Sequence, residues 1–328
     1  MRQLDSLLQR FDLMAGGGPY EYGRHYYHDG GRHDYHVVVG ALTHGDEVGS
    51  LPSVVALAEA LEAGIQAFGG RLTVFLGNPE ASVEGKRFLE QDLNRVFVAE
   101  PPACHEGDRA RMLMPILDQA DVFFDLHQTI CATDRPFYTF PFSVDGWHWV
   151  RAVGGASSWV TRAPGVAFST GTVNVDEYVR RRHKPGVTLE LSQKGFAEEA
   201  DQLATNVLKR LLAVAERVAV NPASLATLAD EQPEPEFIET AWRKSFDDPR
   251  LRLRPGLRNF QLVTQGERLS EIGTPTIEAP HDGLILFPKY PTYLDSGEVV
   301  EPRPGEIVHI AQPLSDHPLQ VWAKELTN

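Results

Sequence analysis

Apolar residues along this chain follow two rhythms, and the places where one gives way to the other carry most of the information. Val37 to Ala41 is a run of small and β-branched residues suited to a buried strand; Val48, Leu51, Val54, Val55, Ala58 and Leu61 then recur at helical spacing. Arg71 to Leu76 reads as the next strand, which completes a strand, helix, strand unit expected to be parallel and right-handed. Val122 to Leu126 and Gly186 to Leu191 have the composition of further buried strands, and Pro136 to Phe142 that of a shorter one. Helical stretches are predicted over Asp108 to Ala120, where Pro115 should kink or shorten the helix, around Trp147 to Val153, over Thr172 to His183, and over the long amphipathic run Ala197 to Val220.

The ends of the chain follow other rules. Residues 1 to 36 hold a short amphipathic start, a Gly16 to Gly18 break and a Tyr/His-rich run through Asp29-Gly30-Gly31, which reads as a hairpin at a sheet edge. Its His25, His28, His33 and His36 are better explained by that edge than by a metal cluster. Asn221 to Glu236, rich in Pro, Asp and Glu, reads as a linker. Beyond Phe237 the pattern changes to short strand-like runs, Phe260 to Val263, Thr276 to Ala279, Gly283 to Phe287 and Ile307 to Ile310, separated by turn residues. The whole predicts an α/β fold, a mixed sheet flanked by helices over residues 1 to 225, with a smaller all-β domain over 226 to 328.

Composition narrows the partners. With 31 basic and 45 acidic residues the formal charge is −14, which argues against a general nucleic-acid binder but leaves room for a local basic pocket. Two cysteines, Cys104 and Cys131, are too few for a disulfide framework and lie in no zinc-knuckle spacing, so a reducing compartment fits. The N-terminal segment has acids where a signal peptide needs an apolar core, and no run approaches the roughly 18 apolar residues of a membrane span. A cytoplasmic protein with no membrane partner is therefore expected, and a homo-oligomer is compatible with the sequence.

Chemistry concentrates where the apolar runs stop. His44 and Glu47 follow the first strand, and His127 follows the VFFDL strand. In an open α/β sheet, ligands bind beyond the carboxyl ends of the strands, so these residues are placed to meet one. Two imidazoles and one carboxylate leave zinc an open coordination position, the arrangement of a catalytic rather than a structural site. Glu190 interrupts the apolar strand GVTLEL, and a strand carboxylate between leucines is costly to bury unless paired or functional. The passage from Gly77 to Phe97 adds Arg87, Asp92, Asn94 and Arg95 between apolar anchors, and its two arginines and asparagine are suited to holding a carboxylate. Such parts suit metal-assisted acyl hydrolysis.

THGDE at 43 to 47, GNPEASVEGKR at 77 to 87, DLNRVF at 92 to 97, DLH at 125 to 127 and LEL around Glu190 resemble, in order and spacing, the motifs of the succinylglutamate desuccinylase/aspartoacylase family, relatives of the zinc carboxypeptidases. The resemblance covers about residues 35 to 220 strongly and the β-rich remainder more loosely. It implies one zinc ion per chain held by His44, Glu47 and His127, Glu190 as general base and acid, and Arg87 polarising the scissile carbonyl. It further implies Asn94 and Arg95 as ligands of a substrate carboxylate, with Arg180, from the run Arg180 to Arg182, and Tyr290 gripping a second one. Asp125 is placed to orient a metal ligand. The substrate implied is a small anion, an N-acyl amino acid of the N-succinyl or N-acetyl acidic type, cleaved at its amide bond. A carboxypeptidase acting on peptides and a non-catalytic zinc-binding regulatory protein are the alternatives. Gln128, Thr129 and the CATDRP that follows match no particular member, which leaves the acyl group open.

Overall fold

The computed structural model describes residues 2–166, 168, 171–294, 298–300 and 304–327, with the side chain of residue 327 excepted. In chain order the helices are α1 (Arg2–Met14), α2 (Leu51–Glu62), α3 (Pro79–Val83), α4 (His105–Asp118), α5 (Val144–Val153), α6 (Val175–Arg180), α7 (Glu198–Val220), α8 (Ser224–Asp230) and α9 (Pro318–Val321). The strands are β1 (His25–Asp29), β2 (His36–Ala41), β3 (Arg71–Leu76), β4 (Val122–Thr129), β5 (Phe137–Thr139), β6 (Ser158–Thr161), β7 (Gly186–Gln193), β8 (Glu236–Ser245), β9 (Leu262–Val263), β10 (Gly283–Leu286) and β11 (Glu306–Pro313).

All of these strands join one mixed sheet in the order β1-β3-β2-β4-β7-β5-β6-β8-β11-β10-β9. Its centre, β3-β2-β4-β7, is parallel. From β2 the chain crosses to β3 on one side, then places β4 on the other and β7 beyond it. The strand order therefore reverses between β2 and β4, and a crevice opens beyond their carboxyl ends.

Period-two alternation sorts the central strands between two layers. Val37, Val39 and Ala41 of β2, Val122, Phe124 and Leu126 of β4, and Val187, Leu189 and Leu191 of β7 pack with α1, α2, α5 and α7. Val38 and Phe123 face the opposite layer, where α4 and α6 contribute Leu113, Ile116, Val175 and Val179. Asp125 and His127 share the face of Phe123, because they lie two and four residues beyond it. Thr188 and Glu190 likewise lie opposite the leucines of β7. The polar residues of both strands thus occupy one face at one end of the sheet.

Several expectations change. The Tyr/His run is an edge strand, but β1 pairs antiparallel with β3 rather than forming a hairpin with β2. Its histidines are held locally, as when His28 Nε2 approaches Phe68 O at 3.0 Å. Pro115 does not shorten α4, which runs on to Asp118. The expected linker contains α8, because Leu228 and Ala229 bury against the main core. The helix expected over Thr172 to His183 is only the six residues of α6. His127 lies within β4, not after it. From Glu236 the chain is built of strands as far as α9, but the sheet is continuous through the parallel β6–β8 pair. Phe137, Val160, Ile238, Leu286 and Ala311 form an apolar seam across that join. Among the described residues no helix is long and apolar enough to cross a membrane.

Candidate active site

The turn that leaves β2 carries the first part of the site. Leu42 is buried with φ +53°, a left-handed conformation costly for a leucine, held where Asn78 N donates to Leu42 O. That turn delivers Thr43 and His44, and Glu47 follows just before the short helical turn that leads into α2. His127 reaches the same point from β4. His44 and Glu47 are each 3% exposed and His127 2%.

Each imidazole presents Nδ1 to a different oxygen of the Glu47 carboxylate. His44 Nδ1 lies 2.8 Å from Oε1 and His127 Nδ1 2.8 Å from Oε2, with the two Nδ1 atoms 3.2 Å apart. The far nitrogens are held by other carboxylates: His127 Nε2 lies 2.6 Å from Asp125 Oδ2, and His44 Nε2 lies 3.0 Å from Asp92 Oδ1. If Asp125 and Asp92 accept the Nε2 hydrogens, both Nδ1 lone pairs converge on the Glu47 carboxylate with no hydrogen to share. A cation satisfies that convergence. Arg87 Nη2 also comes within 2.6 Å of His44 Nε2, so a cation at Nδ1 would decide the tautomer in favour of Asp92 as partner. Two imidazoles plus one carboxylate, each oriented by a further hydrogen bond, is a donor set that fits zinc.

The supporting residues are built into the strands. Thr43 Oγ1 donates to Asp125 Oδ1 at 2.9 Å, and Gln128 N donates to Glu47 Oε2 at 3.0 Å. Gly40 pairs with Asp125 across β2 and β4, and a Cβ there would stand 2.5 Å from Asp125 Oδ1. Glycine leaves the space this fully buried carboxylate needs. Burial alone would raise the Glu47 carboxyl, but the two imidazoles outweigh it and hold it well below the usual carboxylate range. Asp92 behaves alike, with His44 and Arg87 overcoming its burial.

Glu190 faces this cluster from β7, beside His127 in the parallel register. Its Oε2 is buried without a hydrogen-bond partner. Burial, reinforced by the nearby negative Glu47, pushes its carboxyl up to about 7, although His127, His44 and Arg87 pull the other way. Arg87 Nη1 donates to Glu47 Oε1 at 2.9 Å.

His44, Glu47, Arg87, Asp92, His127 and Glu190 all line one cavity of about 560 Å³. The loop after β3 lends it Phe88, Asp92, Asn94 and Arg95, the segment after β10 lends it Phe287 to Thr292, and β11 lends it His309. The Asn94 amide oxygen accepts from Val175 N, and Arg95 Nη1 donates to Asn94 O at 2.6 Å.

Arg180 does not reach the cavity. Its Nη1 donates to Asp176 Oδ2 at 2.6 Å and to Gly186 O at 2.8 Å, which fixes α6 against the start of β7. Arg181 and Arg182 are drawn to Glu177 and Asp118. Tyr290 lines the cavity, but its hydroxyl accepts from Leu257 N and donates to Arg254 O, so the phenol is already engaged.

Two cations in the cavity wall were not foreseen from sequence, Arg162 just after β6 and Lys289 beyond β10. Neither makes an ion pair with another described residue. Burial, with repulsion from Arg180, lowers the Arg162 guanidinium to about 10. Burial also lowers Lys289 to about 8; Glu306 opposes the shift, and Arg95 and Arg87 add to it. Arg162 lies within Ser157 to Phe168, a stretch whose pattern predicts no clear element, and Lys289 follows a short strand, so only the tertiary fold reveals them. Asp92 was visible as part of DLNRVF, but nothing local to it signalled that it would hold His44.

A buried imidazole and carboxylate cluster that could hold a metal ion thus faces a glutamate of raised pKa, a combination suited to hydrolysis. Residues 34–215 match the model of the succinylglutamate desuccinylase/aspartoacylase catalytic domain, and the chain belongs to that family of amide-hydrolysing enzymes. It is 25% identical over 273 residues to the succinylglutamate desuccinylase of Yersinia pestis (strain Pestoides F), covering 77% of this chain and 79% of that one. The fold resembles the crystal structure of succinylglutamate desuccinylase from Chromobacterium violaceum, with TM-score 0.66, 18% identity and coverage of 95% and 98%. It also resembles that of murine aminoacylase 3, with TM-score 0.59, 19% identity and coverage of 85% and 95%.

Proposed function

We propose that this enzyme hydrolyses the amide bond of an N-acyl amino acid carrying more than one carboxylate, with one zinc ion held by His44, Glu47 and His127. The observation that carries the reading is the convergence of both Nδ1 atoms on the Glu47 carboxylate, with Glu190 beside them in one cavity. Zinc, when bound, supplies Lewis-acid chemistry, lowering the pKa of water and polarising a carbonyl. Glu190 takes the proton of the attacking water and returns it to the leaving amine. Arg87, which lines the cavity, stabilises the negative charge that develops on the carbonyl oxygen.

Asn94 and Arg95 hold one carboxylate of the substrate. Arg162 and Lys289 hold a further one, taking the place first expected of Arg180 and Tyr290. Support for an acidic substrate is that neither Arg162 nor Lys289 makes an ion pair with another described residue, the acids Asp176, Glu177 and Glu306 acting on them only from further off, so an anion in the cavity would complete their pairing. The formal charge of −14 does not oppose this, because the local field is set by Arg87, Arg95, Arg162, Lys289 and the metal. We read residues 1 to 225 as the hydrolase unit and 226 to 328 as a β-rich unit that walls its cavity. Phe287 to Thr292 line the cavity, and we read this wall as favouring a small substrate over a long peptide.

Amine release from a panel of N-acyl amino acids, varied in acyl chain and side chain, tests this reading. Substrates with extra carboxylates should be preferred, and Arg162→Ala should raise their KM about tenfold while barely changing that of neutral analogues. An equal loss on both kinds of substrate would remove Arg162 from the binding site. Preference for peptides over N-acyl amino acids would favour the carboxypeptidase alternative.

A further inference from the structure

Glu106 lies in the first turn of α4, at no strand end and beside no metal ligand, yet its side chain is fully buried. Its carboxylate accepts four hydrogen bonds from neutral donors, with His105 Nδ1 3.7 Å from Oε1. Oε1 accepts from Asn78 Nδ2 at 3.0 Å and from Leu89 N at 2.7 Å, while Oε2 accepts from Glu90 N at 3.1 Å and Gln91 N at 3.0 Å. Three consecutive backbone amides of one loop thus converge on a single carboxylate. The contact is reciprocal, because the Glu90 carboxylate accepts from His105 N at the start of α4. Burial would raise the Glu106 carboxyl, but these hydrogen bonds outweigh it and hold it below its ordinary value.

Glu90, Cys104 and Glu106 lie close enough together to suggest a second metal site. The hydrogen bonds exclude that use: both Glu106 oxygens already serve two donors each, and Cys104 Sγ accepts from Gly107 N as the cap of α4. What the cluster does is hold the chain.

The clamped residues, Leu89 to Gln91, lie between Arg87 and Asp92. Arg87 is tied to the metal-site turn through its carbonyl, which accepts from Gly45 N at 2.8 Å, and Asp92 holds His44 and also accepts from Asn94 N at 2.9 Å. Among the described residues, the hydrogen bonds that set the register of this segment between these points all run to the start of α4, three from its amides to Glu106 and one from His105 N to the Glu90 carboxylate.

We propose that Glu106 is the positioning residue of the substrate loop, a buried carboxylate that fixes the 89 to 91 backbone so that Arg87 and Arg95 face the cavity at a set spacing. This rests on reading Arg87, Asn94 and Arg95 as substrate-binding. The chemistry is directional: a carboxylate offers acceptors to all four donors, whereas the amide of Glu106→Gln turns an N–H group toward at least one of them. The loop should then lose register while the metal ligands, fixed by β2 and β4, keep theirs.

The test has two arms. Hydrogen exchange on the wild-type protein should find the amides of Leu89, Glu90 and Gln91 protected, although the loop lies at the surface. Unprotected amides overturn the proposal whatever the enzyme's substrate. In Glu106→Gln these amides should exchange at least tenfold faster, with the metal content kept. The ratio of kcat/KM for a free N-acyl amino acid over that for its α-carboxamide should fall about tenfold. Loss of activity on both substrates by the same factor, following the folded fraction, would reduce Glu106 to a stabilising residue and overturn the proposal. If wild-type protein shows no preference for the free carboxylate, the substrate reading fails instead, and the exchange arm still decides the clamp.

Discussion

Glu190→Gln is expected to keep the metal and lower kcat by about 10²- to 10⁴-fold, the range usual for loss of a positioned general base. Glutamine preserves the shape of the side chain but can neither take up nor return a proton. The pH profile should change with it. Glu190 sits near 7 because burial, then the negative Glu47, disfavours its charged form. Only the ionised form is a base, so wild-type kcat/KM should rise with pH to a plateau. A bound cation draws the inflection to or below 7, and the variant should lack this limb. Stability of the metal-free protein carries the opposite sign. A carboxyl whose folded pKa is raised favours the folded state below its unfolded value of about 4.3, and that contribution is lost as pH rises through 7. Metal-free Glu190→Gln should therefore melt above metal-free wild type at pH 8, with the gap narrowing toward pH 5. Retained turnover would put the base elsewhere.

Arg87→Ala is expected to lower kcat by about 10²- to 10³-fold, with a smaller change in KM and little loss of metal. Burial lowers the Arg87 guanidinium, but Asp92 and Glu47 more than compensate, so it stays charged throughout the working range. A fixed positive charge at that point acts most strongly when charge develops on the carbonyl oxygen. Steady-state kinetics with metal content measured on the same samples separates the two roles. A KM effect alone would make Arg87 a ground-state binding residue.

The parallel centre of the sheet was legible because its strands are buried on both faces and read as unbroken apolar runs, from Val37 to Ala41 and from Val122 to Leu126. His44, Glu47, His127 and Glu190 stood out because each interrupts or ends such a run, and the fold brings them into one cavity. The order of strands was not legible, since the β6–β8 pairing that makes the sheet continuous joins residues about 78 positions apart. α8 was hidden by composition: its Leu228 and Ala229 gain their burial only from the core above them. Arg180 was misplaced because its sequence position suited the site, whereas the short helix it ends on offers Asp176 one turn back as a closer partner. Arg162 went unnoticed for the converse reason, carrying no local pattern and acquiring its place only through β6. A first-turn glutamate such as Glu106 looks ordinary in sequence, because acidic residues are favoured at the start of any helix.

The most direct test of the central claim is metal content measured together with amine release, on purified protein before and after chelation and after zinc is restored. Close to one zinc per chain, activity lost with the metal and regained with it, and a His127→Ala variant that neither holds zinc nor recovers activity are the expected results. Protein that carries no zinc, gains no activity when zinc is added and still hydrolyses N-acyl amino acids would contradict it.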